Sequence, residues 1–99
     1  MKIDFDPTKS QKNVKERGLP FDWIENFDWE SAVYVEDNRK KYPERRYLAL
    51  GFLYDRLHVL CFTPVDGGVR IISFRKANLR EVKKYEKIVQ KRRTRSQQN

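Results

Sequence analysis

The side chains in this chain best suited to chemistry are cations. Arg70, Arg75 and Lys76 belong to the run V-R-I-I-S-F-R-K at 69–76. Arginine stays charged and grips phosphate through two parallel N–H bonds, while lysine acts as a point charge. Val69, Ile71, Ile72 and Phe74 are the β-branched and aromatic types that suit a half-buried strand. A strand here would hold Arg70, Arg75 and Lys76 on a rigid scaffold, which makes them the catalytic candidates for chemistry at a phosphate. A second group is suited to holding a polyanion. Lys9, Lys12 and Lys15 follow one another at spacing three along one side of a helix. With Arg17 and the lone His58 they are the candidates for contacting such a ligand.

Each candidate also has a structural reading. Arg70 can pair with an acidic residue on a neighbouring strand. The lysines of the first helix can be a solvated face, and a single strand histidine can be part of the packing. Tyr85 reads as core, and Glu81 as a helix cap or an arginine partner. Trp23 and Trp29 can stack on bases or fill the interior. Asp4 and Asp6 flank Phe5 with no histidine or cysteine cluster nearby, so neither a metal nor a cofactor is expected. Gly67-Gly68 lacks the Lys-Ser/Thr and helix of a phosphate-binding loop.

Charge distribution supports a polyanionic partner. The net charge is +8, and residues 66–99 carry eleven Lys/Arg against three Asp/Glu. Residues 21–44 are acidic, with seven Asp/Glu against three Lys/Arg. A basic end of this kind most often meets nucleic acid. The single cysteine, Cys61, has no partner for an internal disulfide and fits a reducing compartment. No run of 18 apolar residues and no apolar leader is present, so a cytoplasmic protein with no membrane association is expected.

The elements that must position these residues are legible in outline. Lys2–Phe5 reads as a short strand. Asp6-Pro7 starts a helix that runs to Arg17, with Gly18 as its terminator. Pro20 starts a shorter helix whose apolar face is Phe21, Ile24 and Phe27. Ala32–Val35 reads as a short strand before a polar loop. A meander follows: Arg46–Tyr54, a turn at Asp55-Arg56, Leu57–Thr63 ended by Pro64, a turn at 66–68, and Val69–Arg75. Asn78 caps a last helix with Glu81 three residues on. Val82, Tyr85 and Val89 form its packing face. The expected fold is α+β in the order β-α-α-β-meander-α, with two N-terminal helices and a C-terminal helix on a small antiparallel sheet. Residues 1–90 form a single domain, and 91–99 are expected to be a basic, flexible tail.

Three segments together carry a family resemblance. F-D-P-T-K-S-Q-K-N-V-K-E-R-G-L-P-F at 5–21 resembles the opening of BrnT-type toxins. R-Y-L-A-L-G at 46–51 is similar to that family's middle strand. R-I-I-S-F-R-K-A-N at 70–78, with Glu81 and Tyr85, resembles its closing signature. The resemblance implies a RelE-like ribonuclease fold and the toxin of a bacterial type II toxin–antitoxin pair. It implies RNA as substrate and translation as the target. It also implies a ribbon-helix-helix, BrnA-like antitoxin that forms a heterotetramer binding operator DNA. Two positions depart from the family pattern. Arg17 stands where many members have histidine before the turn glycine. Pro64 and Val65 follow Thr63 where many have an arginine two residues on. The missing cation's role would then fall to Arg17, Arg70 or Arg75. The alternative reading is a non-catalytic module on the same fold that binds nucleic acid or an antitoxin.

Cleavage of RNA without metal uses the 2′-hydroxyl as nucleophile. It needs a proton acceptor, a proton donor for the leaving 5′-oxygen, and cations for the charge growing on phosphate.

Overall fold

Apolar residues appear on both sides of the strands, so both faces of the sheet must be covered. The computed structural model describes residues 1–97, and among them one sheet of five strands is sandwiched in this way. The order is β1 (Lys2–Asp4), α1 (Pro7–Arg17), a 3-10 segment (Phe21–Asn26), β2 (Val33–Glu36), β3 (Tyr47–Leu53), β4 (Arg56–Val65), β5 (Gly68–Lys76) and α2 (Leu79–Gln97). Across the sheet the strands run β1-β5-β4-β3-β2. β1 lies parallel to β5 and every other pairing is antiparallel, so the sheet is mixed rather than the antiparallel one expected.

One face packs Leu60, Val69, Ile71 and Phe74 beneath Phe21, Ile24 and Phe27. The other packs Val33, Leu50, Leu57 and Val59 against Tyr85, Val82, Ile88 and Val89 of α2. α1 contributes almost no apolar surface, since Val14 is itself exposed. It is docked by polar groups instead. The buried Ser10 hydroxyl accepts the Phe21 N–H at 2.9 Å. The buried Asn13 amide donates to the carbonyls of Leu19 at 2.7 Å and Phe74 at 2.9 Å. Buried polar groups of this kind are stabilising only while paired, so they fix α1 in one position.

The caps follow the sequence. Asp6 accepts from the Thr8 N–H at 2.9 Å, and Gly18 ends α1 in the left-handed region at φ 69°. Asn78 and Glu81 exchange a reciprocal pair of 2.9 Å bonds at the start of α2.

Several boundaries differ from expectation. The second of the two expected N-terminal helices is a six-residue 3-10 segment rather than an α-helix. Phe21, Ile24 and Phe27 recur at spacing three, which is the 3-10 repeat, so all three reach the same core. β4 passes through Pro64 to Val65. β3 has already ended there, because Tyr47 lies opposite Phe62, so the missing proline N–H costs no bond on that side. The first hairpin turns at Tyr54-Asp55, with Leu53 opposite Arg56, instead of at Asp55-Arg56. α2 continues past Val89 to Gln97, in a stretch of Lys, Arg and Gln that favour helix. Residues 98 and 99 of the expected tail lie outside the described residues.

The sheet also contains an irregularity with consequences for the site. Cys61 lies opposite Ser73 but Phe62 lies opposite Ile71, so Ile72 is an extra residue in β5. A bulge of this kind switches the face of every residue beyond it. Phe74 on one side of it and Ile71 and Val69 on the other therefore reach the same core.

Candidate functional site

The bulge at Ile72 separates Arg70 from Lys76. Strict alternation would have put Arg70 and Lys76 on one face. Beyond the bulge Arg70 turns to the opposite face from Val69 and Ile71, where it pairs with Asp4 of β1 at 3.1 Å. Arg75 packs toward α2. Its guanidinium meets Glu81 with both nitrogens, at 2.7 and 2.8 Å. That contact holds the Glu81 carboxyl below its ordinary range, through the Arg75 hydrogen bonds first, and strengthens the charged form of Arg75 in return. Lys76 faces the α1 side and is exposed. The structure thus does not gather Arg70, Arg75 and Lys76, and the two arginines already have carboxylate partners.

It gathers a different set around Lys76. His58 lies directly opposite Lys76 in the β4–β5 register. Arg56 precedes His58 by two residues, so both side chains leave β4 on the same face. With Leu19, Trp23, Leu53, Tyr54 and Asp55, these three line a cleft of about 450 Å³. That volume is in the range of roughly 300–1,000 Å³ found for small-molecule sites. Roomier grooves run along α2, and one of them is walled largely by its long basic side chains.

His58 is the group in the cleft with acid–base capacity near neutrality. Its ring is largely buried and leans on Phe74, with centroids 5.1 Å apart. Nδ1 lies 2.9 Å from the Arg56 carbonyl. A carbonyl oxygen can only accept, so Nδ1 carries the hydrogen. Burial pushes the imidazole pKa below 6.5, and the positive charges of Arg56 and Lys76 act in the same direction against the opposing pull of that carbonyl. At neutral pH the ring is therefore uncharged, and Nε2 presents a lone pair. Among the described residues the Trp29 indole N–H is the one side-chain nitrogen or oxygen that is both sealed and without a partner. His58 itself is only 3% exposed and forms part of the cleft wall.

The remaining candidates divide. Arg17 is exposed at the end of α1, and its guanidinium donates to Asn13 Oδ1 at 3.3 Å. Through Asn13 it is tied to the backbone of Phe74, two residues before Lys76. Lys9, Lys12 and Lys15 are all exposed. Ser10 and Asn13 mark the side of α1 that meets the sheet, so helical geometry carries Lys12 and Lys15 to the opposite side. Lys12 also approaches Glu16 at 3.9 Å. Trp29 packs edge-on against Phe27 and Phe62, whereas Trp23 is 43% exposed beside the cleft. Tyr85 is core, and Glu81 is both cap and arginine partner.

Arg56 and Tyr54 of the cleft are not among the candidates that residue type and spacing single out. Arg56 falls in the turn expected at Asp55-Arg56, although its spacing of two from His58 is the signal that places both on one face of a strand. Among the described residues no three His, Cys, Asp or Glu side chains gather in metal-ligating range. None of the helices there is long and apolar enough to cross a membrane.

A family model described as ribonuclease toxin, BrnT, of type II toxin-antitoxin system matches residues 5–81. The chain belongs to this BrnT family. The matched span runs from just before α1 to the Glu81 cap of α2, and so includes every residue lining the cleft. The BrnT family is one of ribonuclease toxins, and a type II system pairs such a toxin with a protein antitoxin. No curated protein and no solved structure matches the chain.

Proposed function

We propose that this chain is a metal-independent endoribonuclease that acts in the cytoplasm, through a RelE-like fold, to inhibit translation. The observation that carries this reading is the meeting of a neutral imidazole with Lys76 and Arg56 in one cleft. His58 Nε2 takes the proton from the ribose 2′-hydroxyl. The freed oxygen attacks the adjacent phosphorus, and the bond to the 5′-oxygen breaks. The leaving oxygen takes a proton from solvent in the cleft, which leaves a 2′,3′-cyclic phosphate and a 5′-hydroxyl. Lys76 and Arg56 stabilise the charge that grows on the phosphate oxygens. Arg17 extends the cationic surface toward the end of α1. Arg70 and Arg75 serve this reading as fixed charges that keep β1 and α2 in place. The partner is a ribbon-helix-helix antitoxin, BrnA-like, in a heterotetramer that binds operator DNA.

The test is incubation of the purified chain with RNA in the presence of EDTA. Cleavage with 2′,3′-cyclic phosphate ends, abolished by His58→Ala in a folded protein, is the expected outcome. A folded wild-type protein that binds RNA in a salt-dependent way and never cuts it would instead support the non-catalytic module.

A further inference from the structure

Two large aromatic rings at the rim of the cleft are unexplained by packing. Trp23 sits between Phe21 and Ile24, which are both fully buried, yet it is itself turned out and 43% exposed. Tyr54 is 70% exposed at the tip of the β3–β4 hairpin. Its φ is 56°, in the left-handed region that disfavours a bulky side chain. Asparagine or glycine would occupy that turn position with less strain. Both rings line the same cleft as Arg56, His58 and Lys76. The Asn26 amide reaches the Tyr54 hydroxyl at 3.4 Å, which ties the hairpin tip to the segment carrying Trp23.

Exposed aromatic faces beside cations match one class of ligand closely. A nucleobase has an apolar face that stacks on such rings, and its phosphates meet the lysine and arginine. A duplex hides those base faces inside its own stack. We propose that Trp23 and Tyr54 form a stacking subsite for an unpaired nucleobase, so that the cleft selects single-stranded RNA. This rests on the reading of the cleft as an RNA site, and it adds which form of RNA is held and by which residues.

The experiment measures binding of a labelled single-stranded 2′-O-methyl RNA oligonucleotide, which lacks the nucleophile and stays intact. Wild type is compared with Trp23→Ala, Trp23→Phe and Tyr54→Gly. Tyr54→Gly removes the ring while relaxing the backbone, so it keeps the fold. Loss of one stacking partner should weaken binding by about 5- to 100-fold, with Trp23→Phe recovering most of the affinity. A blunt duplex of the same length should bind weakly and be indifferent to both rings, and an abasic oligonucleotide should bind wild type no better than it binds the variants. Equal affinity of wild type, Trp23→Ala and Tyr54→Gly for the single strand would overturn the subsite. So would full affinity for the abasic strand. If the wild-type chain fails to cleave RNA but binding still depends on both rings, the subsite stands and the cleavage mechanism falls.

Discussion

The Nδ1–H of His58 donates to the carbonyl of Arg56, 2.9 Å away and two residues back along β4. This one bond sets the tautomer of the imidazole and turns its basic nitrogen away from the strand that carries it. It also locates Arg56, because the residue that accepts the bond projects its own guanidinium on the same face. A proton acceptor and a cation are thus supplied by a three-residue stretch of one strand.

His58→Ala should therefore reduce RNA cleavage by about 10²–10⁴-fold, the usual worth of a positioned acid–base group. Initial rates on a defined RNA check this. The pH profile separates a base from a packing residue. Since the folded pKa lies below 6.5, activity should rise with pH through that lower value and be level at neutrality. The His58→Ala profile should lack that acidic limb. Stability follows the same sign. The contribution from neutral His58 is complete above 6.5 and is lost as pH falls through the depressed folded value.

Lys76 and Arg75 are neighbours in sequence with opposite expected behaviour. Lys76→Ala should weaken binding of any RNA and reduce the slope of log affinity against log salt by about one. Arg75→Ala removes the bidentate partner of Glu81, which is only partly exposed. It should lower unfolding stability by about 1–2 kcal/mol and leave cleavage per folded molecule close to wild type. Urea denaturation and salt-dependent binding, run on both variants, distinguish the two roles. An Arg75→Ala protein that is stable but inactive would return that arginine to the mechanism.

Asn13→Ala should be among the more damaging changes outside the cleft. It strips a buried donor from the carbonyls of Leu19 and Phe74, which no longer have that partner. A loss of about 2–3 kcal/mol is expected from leaving buried carbonyls unpaired. Because Leu19 lines the cleft and Phe74 supports His58, weaker RNA binding should accompany the loss. Chemical denaturation with a parallel binding measurement checks both.

Asp37, just after β2, is buried and meets Arg39 with both oxygens at 2.8 Å. The Arg39 hydrogen bonds hold its pKa down at about 2, against an ordinary 3.8. Its contribution to stability is therefore full above 3.8 and is lost as pH falls through about 2. Between these values the urea midpoint of the wild type should fall more steeply than that of Asp37→Asn, so the two curves should converge in acid.

Local signals carried much of the secondary structure. Asp6-Pro7 and Gly18 bound α1, and Asn78 with Glu81 starts α2, because caps depend on a few adjacent residues. The meander strands were legible from their apolar content. The second helix was harder to type. Its spacing of three suits a 3-10 turn, and a stretch so short gives little other signal. The hairpin turn was offset by one residue because Tyr54 occupies a backbone conformation that its residue type disfavours. The tight packing at Gly51, opposite His58, was equally hidden. A Cβ there would come within 2.6 Å of the Phe27 ring, a contact between residues far apart in sequence.

The amino-acid sequence by itself determined that this is a basic α+β domain with a cation-bearing strand at 69–76, and that it resembles the BrnT toxins. Those properties follow from composition and from patterns within a few residues of one another. Which cations of β5 share a face was decided by tertiary structure alone. The bulge at Ile72 arises from how β5 fits against β4, and it sends Arg70 to Asp4 while leaving Lys76 beside His58. A side-chain period of two cannot reveal one extra residue in a strand, and the pairing that accommodates it exists only once the sheet has formed.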